Sequence, residues 1–230
     1  MIRVYENNKK WPNNIFFLYT NRLLQMITTI LLESIMVEIR NLESEFRESK
    51  GLILSEDDLK CHLFRKIYPL LSHNQQTMDT AILGSPLHTE IKFFDENDKL
   101  SLVPDITILT HSDLSILHSV NYKVTRDGIK PKGTSSKGFE FGGNTIIFEL
   151  KLSKARKGIS KKHLATYSSD IKKIKRLQNI ITTRSEGSNK IYAIFVIFNK
   201  TDKKIKEFDD FLLSNQNISD LKVVYGTAML

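Results

Sequence analysis

Among 230 residues there is one cysteine, Cys61, which excludes an internal disulfide framework and a cysteine-rich zinc site and fits a reducing, cytoplasmic setting. Inside a helical stretch, Cys61 is expected to be buried and inert. The histidines number six, and His62/His73 and His111/His118 match no zinc-ligand spacing. His88 and His163 are expected to pack rather than to catalyse. Long uncharged runs are missing: Ile15 to Ile39 is interrupted by Asn21, Arg22, Gln25, Glu33 and Glu38, so no stretch of about 18 to 20 residues suits a bilayer. The short run Ile15 to Tyr19, with no small-residue cleavage site after it, is not expected to act as a secretory signal. Walker A, G-x-G-x-x-G and G-x-S-x-G patterns are also absent. Nucleotide hydrolysis, dinucleotide redox chemistry and serine hydrolysis therefore have no local support.

What is present is an ordinary globular composition, 40% hydrophobic and 26% charged, with an excess of base. Lys and Arg number 34 against 26 Asp and Glu, a formal charge of +8, which favours a polyanionic partner such as nucleic acid. Residues 13 to 48 read as helix, with Phe16, Leu23, Met26, Ile27, Ile30, Leu31, Ile35, Val37, Ile39, Leu42 and Phe46 on a broad apolar stripe that suits a homodimer contact or a cap on the protein's own sheet. Gly51 ends this N-terminal segment, residues 1–50, and residues 51–230 form the main domain. Ser55-Glu56-Asp57-Asp58 supplies an N-cap hydroxyl and first-turn acids for a second helix reaching about Leu71, with Pro69 disturbing its last turn.

Beyond it the period changes. Strands are expected at Leu87 to Phe94, Leu102 to Leu109, Thr145 to Leu152, Ile191 to Phe198 and Leu221 to Tyr225, with helices at Ser160 to Ile181 and Lys203 to Leu213. The order is α, β, β, β, α, β, α, β, an α/β fold with a mixed sheet flanked by helices. Between strands, Thr110 to Asn144 holds five of the ten glycines and the basic residues Lys123, Arg126, Lys130, Lys132 and Lys137. A connection this long is usually functional or mobile, and Ser115 to Val124 suits one arm of a hairpin.

The chemistry concentrates on two strands. Thr145-Ile-Ile-Phe-Glu149-Leu-Lys151-Leu ends an apolar run in two opposite charges that period two places on one face. Upstream, Pro104-Asp105 leads into another apolar strand. If the strands pair, the two carboxylates make an oxygen-rich pocket suited to Mg²⁺ or Mn²⁺. Lys151 then orients or deprotonates an attacking water and offsets charge on a phosphate.

Pro104-Asp105 followed by Glu149-Leu150-Lys151 resembles the PD-(D/E)xK nuclease superfamily, which includes type II restriction enzymes, Holliday-junction resolvases and repair nucleases. The resemblance covers about Ser55 to Phe198 and implies a restriction-endonuclease-like α-β-β-β-α-β core. It implies that Asp105 and Glu149 bind metal with help from the Leu150 carbonyl, that Lys151 serves the nucleophile, and that Glu56 is the acid contributed by the preceding helix. Asp57 and Asp58 are rivals for that last role, and Glu56 also reads as a helix-start acid stabilised by the macrodipole. The sequence departs from the pattern in one respect: 43 residues separate Asp105 from Glu149, more than a simple hairpin needs. A second E-x-K, Glu90-Ile91-Lys92, stands on an expected strand, but its upstream acid, Asp79, follows no proline.

From Lys151 to Arg176 there are ten basic residues and one acid, Asp170. Lys154, Lys161, Lys162, Lys172 and Lys173 are expected to grip phosphates flanking the reacting one, whereas Tyr167 shares the apolar face and is expected in the core. The function expected is metal-dependent phosphodiester hydrolysis, with DNA as the substrate. The alternative is a noncatalytic nucleic-acid-binding or adaptor protein that keeps the fold.

Overall fold

The computed structural model describes residues 14–78, 82–116, 122–125, 128–131, 139–216, 218 and 220–228, and of residues 14–28, 116, 122–125, 128–131 and 140 the backbone alone. Four helices are α1 (Asn14–Glu48), α2 (Glu56–Ile67), α3 (Lys161–Arg184) and α4 (Glu207–Asn215). The strands of the main sheet are β1 (Leu87–Thr89), β2 (Ile106–Leu109), β3 (Thr145–Ser153), β4 (Ile191–Asn199) and β5 (Leu221–Thr227). They lie in the order β5-β4-β3-β2-β1, so each strand neighbours the next in sequence. The fold is α/β, with a five-stranded mixed sheet flanked by helices. By contacts the described residues form two compact units, one of residues 72–148 and 171–193, the other of residues 14–71, 149–170 and 194–228.

In the first unit β1 and β3 both pair antiparallel to β2, with Ile108 opposite Leu87 and Ile146, and Ile106 opposite Thr89 and Phe148. The long separation between Asp105 and Glu149 therefore does not prevent strand pairing. The intervening chain folds into nested hairpins, Leu114–Ile116 with Phe139–Phe141 and Tyr122–Thr125 with Gly128–Pro131. The hairpin expected near Ser115 is thus present as two. The side chains of Lys123 and Lys130, and the whole of Arg126, Lys132 and Lys137, lie outside the described residues.

Two expected strands are each broken in two. Leu87 to Phe94 stops at Thr89 because Glu90 adopts a positive φ of 54°, outside extended geometry. Phe93–Phe94 then pairs with Leu100–Leu102 in its own hairpin. Leu102 to Leu109 is interrupted at Val103-Pro104-Asp105, where the proline has no N–H to give a ladder. The Phe93 hairpin is fastened by its turn: Asp95 Oδ1 accepts from the Asn97 and Lys99 amides at 2.9 and 3.0 Å. Its acids also engage the far half of α3, Glu96 accepting from Arg176 Nε and Asp98 from Arg184 at 2.9 Å.

In the second unit Ile35, Ile39, Leu42 and Phe46 are all but fully buried, at helical spacing along α1, which packs against α2 and β5. That part of the stripe is covered within its own unit, whereas Ile30 and Val37 face outward at 55% and 51% exposure. The side chains of Phe16, Leu23, Met26 and Ile27 lie outside the described residues. Among the described residues no helix is long and apolar enough to cross a membrane.

Helix α2 starts as its sequence dictates. Ser55 Oγ accepts from the Asp58 amide at 3.0 Å, and Asp58 Oδ2 accepts in return from Ser55 N–H at 3.1 Å. The helix ends at Ile67, where Pro69 confines Tyr68–Leu70 to a 3₁₀ turn. Leu59, Leu63 and Ile67 form its buried edge, and Cys61, two positions from Leu59 and Leu63, points away from it. Cys61 is exposed, contrary to the buried thiol expected.

Candidate active site

Strand β3 is buried throughout from Thr145 to Phe148, which marks a central strand covered on both faces. Over Glu149-Leu150-Lys151 burial then alternates. Leu150 is fully buried, while Glu149 and Lys151 on the opposite face are only partly covered. A strand that stays in the sheet but changes from apolar to charged on one face has left the core on that side. The charges need partners there.

The partners come from the same compact unit. Lys151 Nζ lies 2.7 Å from Glu149 Oε1, 3.3 Å from Asp170 Oδ2 on α3 and 3.7 Å from Glu56 Oε1 on α2. The side chains of Lys151, Glu149 and Asp170 are 15%, 19% and 6% exposed. Glu56 is more open, but its second oxygen accepts the Leu152 amide at 3.4 Å, which ties the start of α2 to the end of β3.

Among the three acids that open α2, geometry separates the roles. Asp58 is committed to the cap: hydrogen bonds from the Leu54 amide first, opposed by burial, then from Ser55, hold its carboxyl below the usual range. Asp57 is largely exposed and pairs with Lys60 at 3.2 Å. Glu56 reaches Lys151 and the β3 backbone.

Burial opposes the charge on Lys151, but Glu149, by charge and hydrogen bond, and then Glu56 and Asp170 outweigh it. Its pKa rises above the ordinary 10.5. Lys151 is therefore an ammonium at neutral pH. Orientation with charge compensation, one of the two roles expected for it, suits an ammonium held this way. The linkage follows: a cation whose folded pKa is raised contributes stability that is complete below the unfolded value and is lost only as pH climbs past the folded one, here in the strongly alkaline range.

Behind the quartet, Tyr167 is buried in an aromatic cluster, with ring centroids 6.0 Å from Phe195 and 6.4 Å from Phe208 and Phe211. Burial pushes its hydroxyl up to about 12, with Lys151 pulling the other way. His163 fixes the start of α3, its Nδ1 accepting the Ser160 amide at 3.2 Å, which places the ring proton on Nε2. In the other unit His88 Nε2 donates to the Ser85 carbonyl at 2.7 Å, and burial lowers its pKa. Both rings are thus held by local hydrogen bonds to serines.

Asp105 belongs to the first unit, on the residue before β2. Its amide donates to the Phe148 carbonyl at 2.9 Å and its carbonyl accepts from Glu90 at 3.2 Å. The antiparallel register thus ends with Ile106 opposite Phe148, one residue short of each acid of the motif. Glu90-Ile91-Lys92 lies in the irregular stretch after β1, so no strand presents its two charges on one face. Asp79 lies outside the described residues.

Of the basic run, Lys154, Lys161, Lys162, Lys172 and Lys173 are exposed. Lys161 also pairs with Glu207 at 3.4 Å, both side chains being open to solvent. Asp170 is the site residue that sequence reasoning passed over. Its signal was present, a lone acid among ten bases next to Ile171 on the apolar face of α3.

Among the described residues no three His, Cys, Asp or Glu side chains form a ready metal cluster, and the three carboxylates gather on an ammonium instead. No family model matches the chain, and no curated protein or solved structure matches it either.

Proposed function

We propose that the protein is a metal-dependent nuclease of PD-(D/E)xK type, with a restriction-endonuclease-like core, that hydrolyses phosphodiester bonds in DNA. The observation that carries this reading is the quartet at the end of β3: three carboxylates gather around one ammonium, an excess of oxygen donors over cationic groups. Oxygen donors with that excess suit a hard divalent cation, Mg²⁺ or Mn²⁺. When bound, such an ion supplies an acidified water and polarises a phosphoryl oxygen. Glu149 and Glu56 would hold it, and the motif assigns Asp105 and the Leu150 carbonyl to the same task.

The chain's own groups do the rest. Lys151, fixed as an ammonium, orients the attacking water and offsets the charge that builds on the phosphate. The exposed thiol of Cys61 agrees with a reducing cytoplasm, where no partner sulfur is needed. Supercoiled plasmid is expected to be cut with Mg²⁺ or Mn²⁺, to be bound without being cut in Ca²⁺, and to survive in EDTA. Cutting in EDTA refutes the metal requirement, and binding without cutting in every metal returns the noncatalytic adaptor.

Lys161 and Lys172 are eleven residues apart, about three helical turns, and so share a line along α3; Lys162 and Lys173 share the next. A strand following one line touches two of the four. Exposed pairs such as Lys161 with Glu207 contribute little and leave Lys161 available. Replacing all four lysines by alanine is therefore expected to lower the slope of log affinity against log salt by about 1.8, similarly for unrelated duplex sequences. The measurement is made in Ca²⁺, and an unchanged slope moves the phosphate-binding role elsewhere.

A further inference from the structure

We infer that Asp170 is a positioning residue for Lys151, fixing where its ammonium stands rather than touching substrate or metal. Helix α3 presents an apolar edge of Tyr167, Ile171, Ile174 and Leu177, each at most 5% exposed, and Asp170 lies within it at 4%. A carboxylate in such a place needs a cation, and Lys151 Nζ lies 3.3 Å from its Oδ2. The other two acids of the quartet differ in setting. Glu149 precedes Lys151 by two residues on the same strand, and Glu56 is 45% exposed at the start of a helix. Asp170 alone is both buried and carried by a separate helix, so it anchors the ammonium from the α3 side while the shorter contact, 2.7 Å, stays with Glu149. The charged groups that face Lys151 are Glu149 on β3, Glu56 on α2 and Asp170 on α3, and Lys151 in turn acts on the Tyr167 hydroxyl of α3.

The positioning stands on geometry alone, while its effect on rate rests on the nuclease reading, and the experiment keeps the two apart. The folded protein is treated briefly with acetic anhydride at pH 8 and the modified lysines are counted by peptide mass spectrometry. Lys60 and Lys66, whose side chains are 13% and 14% exposed, serve as internal standards for a folded chain. In wild type Lys151 is expected to label poorly. Asp170→Asn, nearly the same size, removes the buried anion that holds Nζ from the α3 side, so the side chain is freed to swing toward the more open Glu56 side and labelling at Lys151 is expected to rise about tenfold. Lys60 and Lys66 stay unchanged.

Asp170→Glu restores the charge but displaces it by one methylene, so labelling returns to the wild-type level. On plasmid with Mg²⁺ both variants are expected to lose about tenfold in kcat with KM unchanged, as misplacement rather than lost binding requires. Unchanged labelling of Lys151 in Asp170→Asn overturns the inference, as does full cleavage by Asp170→Glu, which would make charge alone sufficient. If Asp170→Asn does not fold, Asp170→Ser, which removes the same anion at smaller volume, takes its place in both readouts. If wild type cuts no nucleic acid, the labelling still decides the positioning, and only the nuclease reading falls.

Discussion

Glu149→Gln is expected to reduce Mg²⁺-dependent plasmid cleavage by about a thousandfold or more, the scale of losing a preorganised charge at a reacting centre. The substitution keeps volume and removes one anion, leaving Lys151 with Asp170 at 3.3 Å and Glu56 at 3.7 Å. The strand core, Thr145 to Phe148, is untouched. Thermal melting and DNA affinity without divalent metal should therefore stay near wild type. Asp105→Asn is expected to match it, since the motif gives both acids one task. Lys151→Ala should lose most of the rate, and Lys151→Arg should not restore it, because a planar fork presents its charge differently from a compact ammonium. Glu90→Gln combined with Lys92→Ala serves as the contrast and should be mild. Wild-type cutting by Glu149→Gln, or a larger loss from the Glu90 pair, would move the active site off β3.

The element order was legible because each segment's period agrees with its final environment. Runs such as Ile191–Asn199 and the stripe Ile35, Ile39, Leu42, Phe46 are buried where their spacing puts them. Ser55 was legible as a cap because capping is local, decided within four residues. The strand breaks at Glu90 and Pro104 were not read, since alternation of apolar residues continues across both while the backbone does not. Val37 looked like part of the α1 stripe and is exposed, as a stripe that broad cannot all face one neighbour.

In the site, Glu149 and Lys151 were read from period two. Choosing Glu56 over Asp57 and Asp58 needed the Leu152 amide, 96 residues away. Asp170 carries the same lesson: an acid in a basic run looks like a solvated residue until the helix is docked. For Lys151 the sequence places one acid beside it, whereas the fold places three.

The connection between β3 and α3 sets where Asp170 lies, and Gly158 controls it. Gly158 has φ of +71°, and a Cβ there would stand 1.7 Å from the Lys203 carbonyl oxygen. That carbonyl also accepts the Ile159 amide at 3.0 Å, and Ile159 accepts in turn from Ile205 at 3.1 Å, a parallel bridge outside the main strands. Neither side of this contact is a side chain able to turn away, so Gly158→Ala must open the bridge and move the start of α3. Gly187 supplies the control. Its φ is +81°, it follows the other end of α3, and a Cβ there meets nothing within 4 Å. Gly187→Ala bears only the left-handed penalty, about 1 kcal/mol. Gly158→Ala adds a backbone collision and is expected to cost about 4 kcal/mol, in the range reserved for strain and overpacking. Urea titration of the two variants reads the difference, and equal losses would mean that the Lys203 segment yields easily. In a folded fraction of Gly158→Ala, acetylation of Lys151 should rise as it does in Asp170→Asn, because a displaced α3 takes its carboxylate with it.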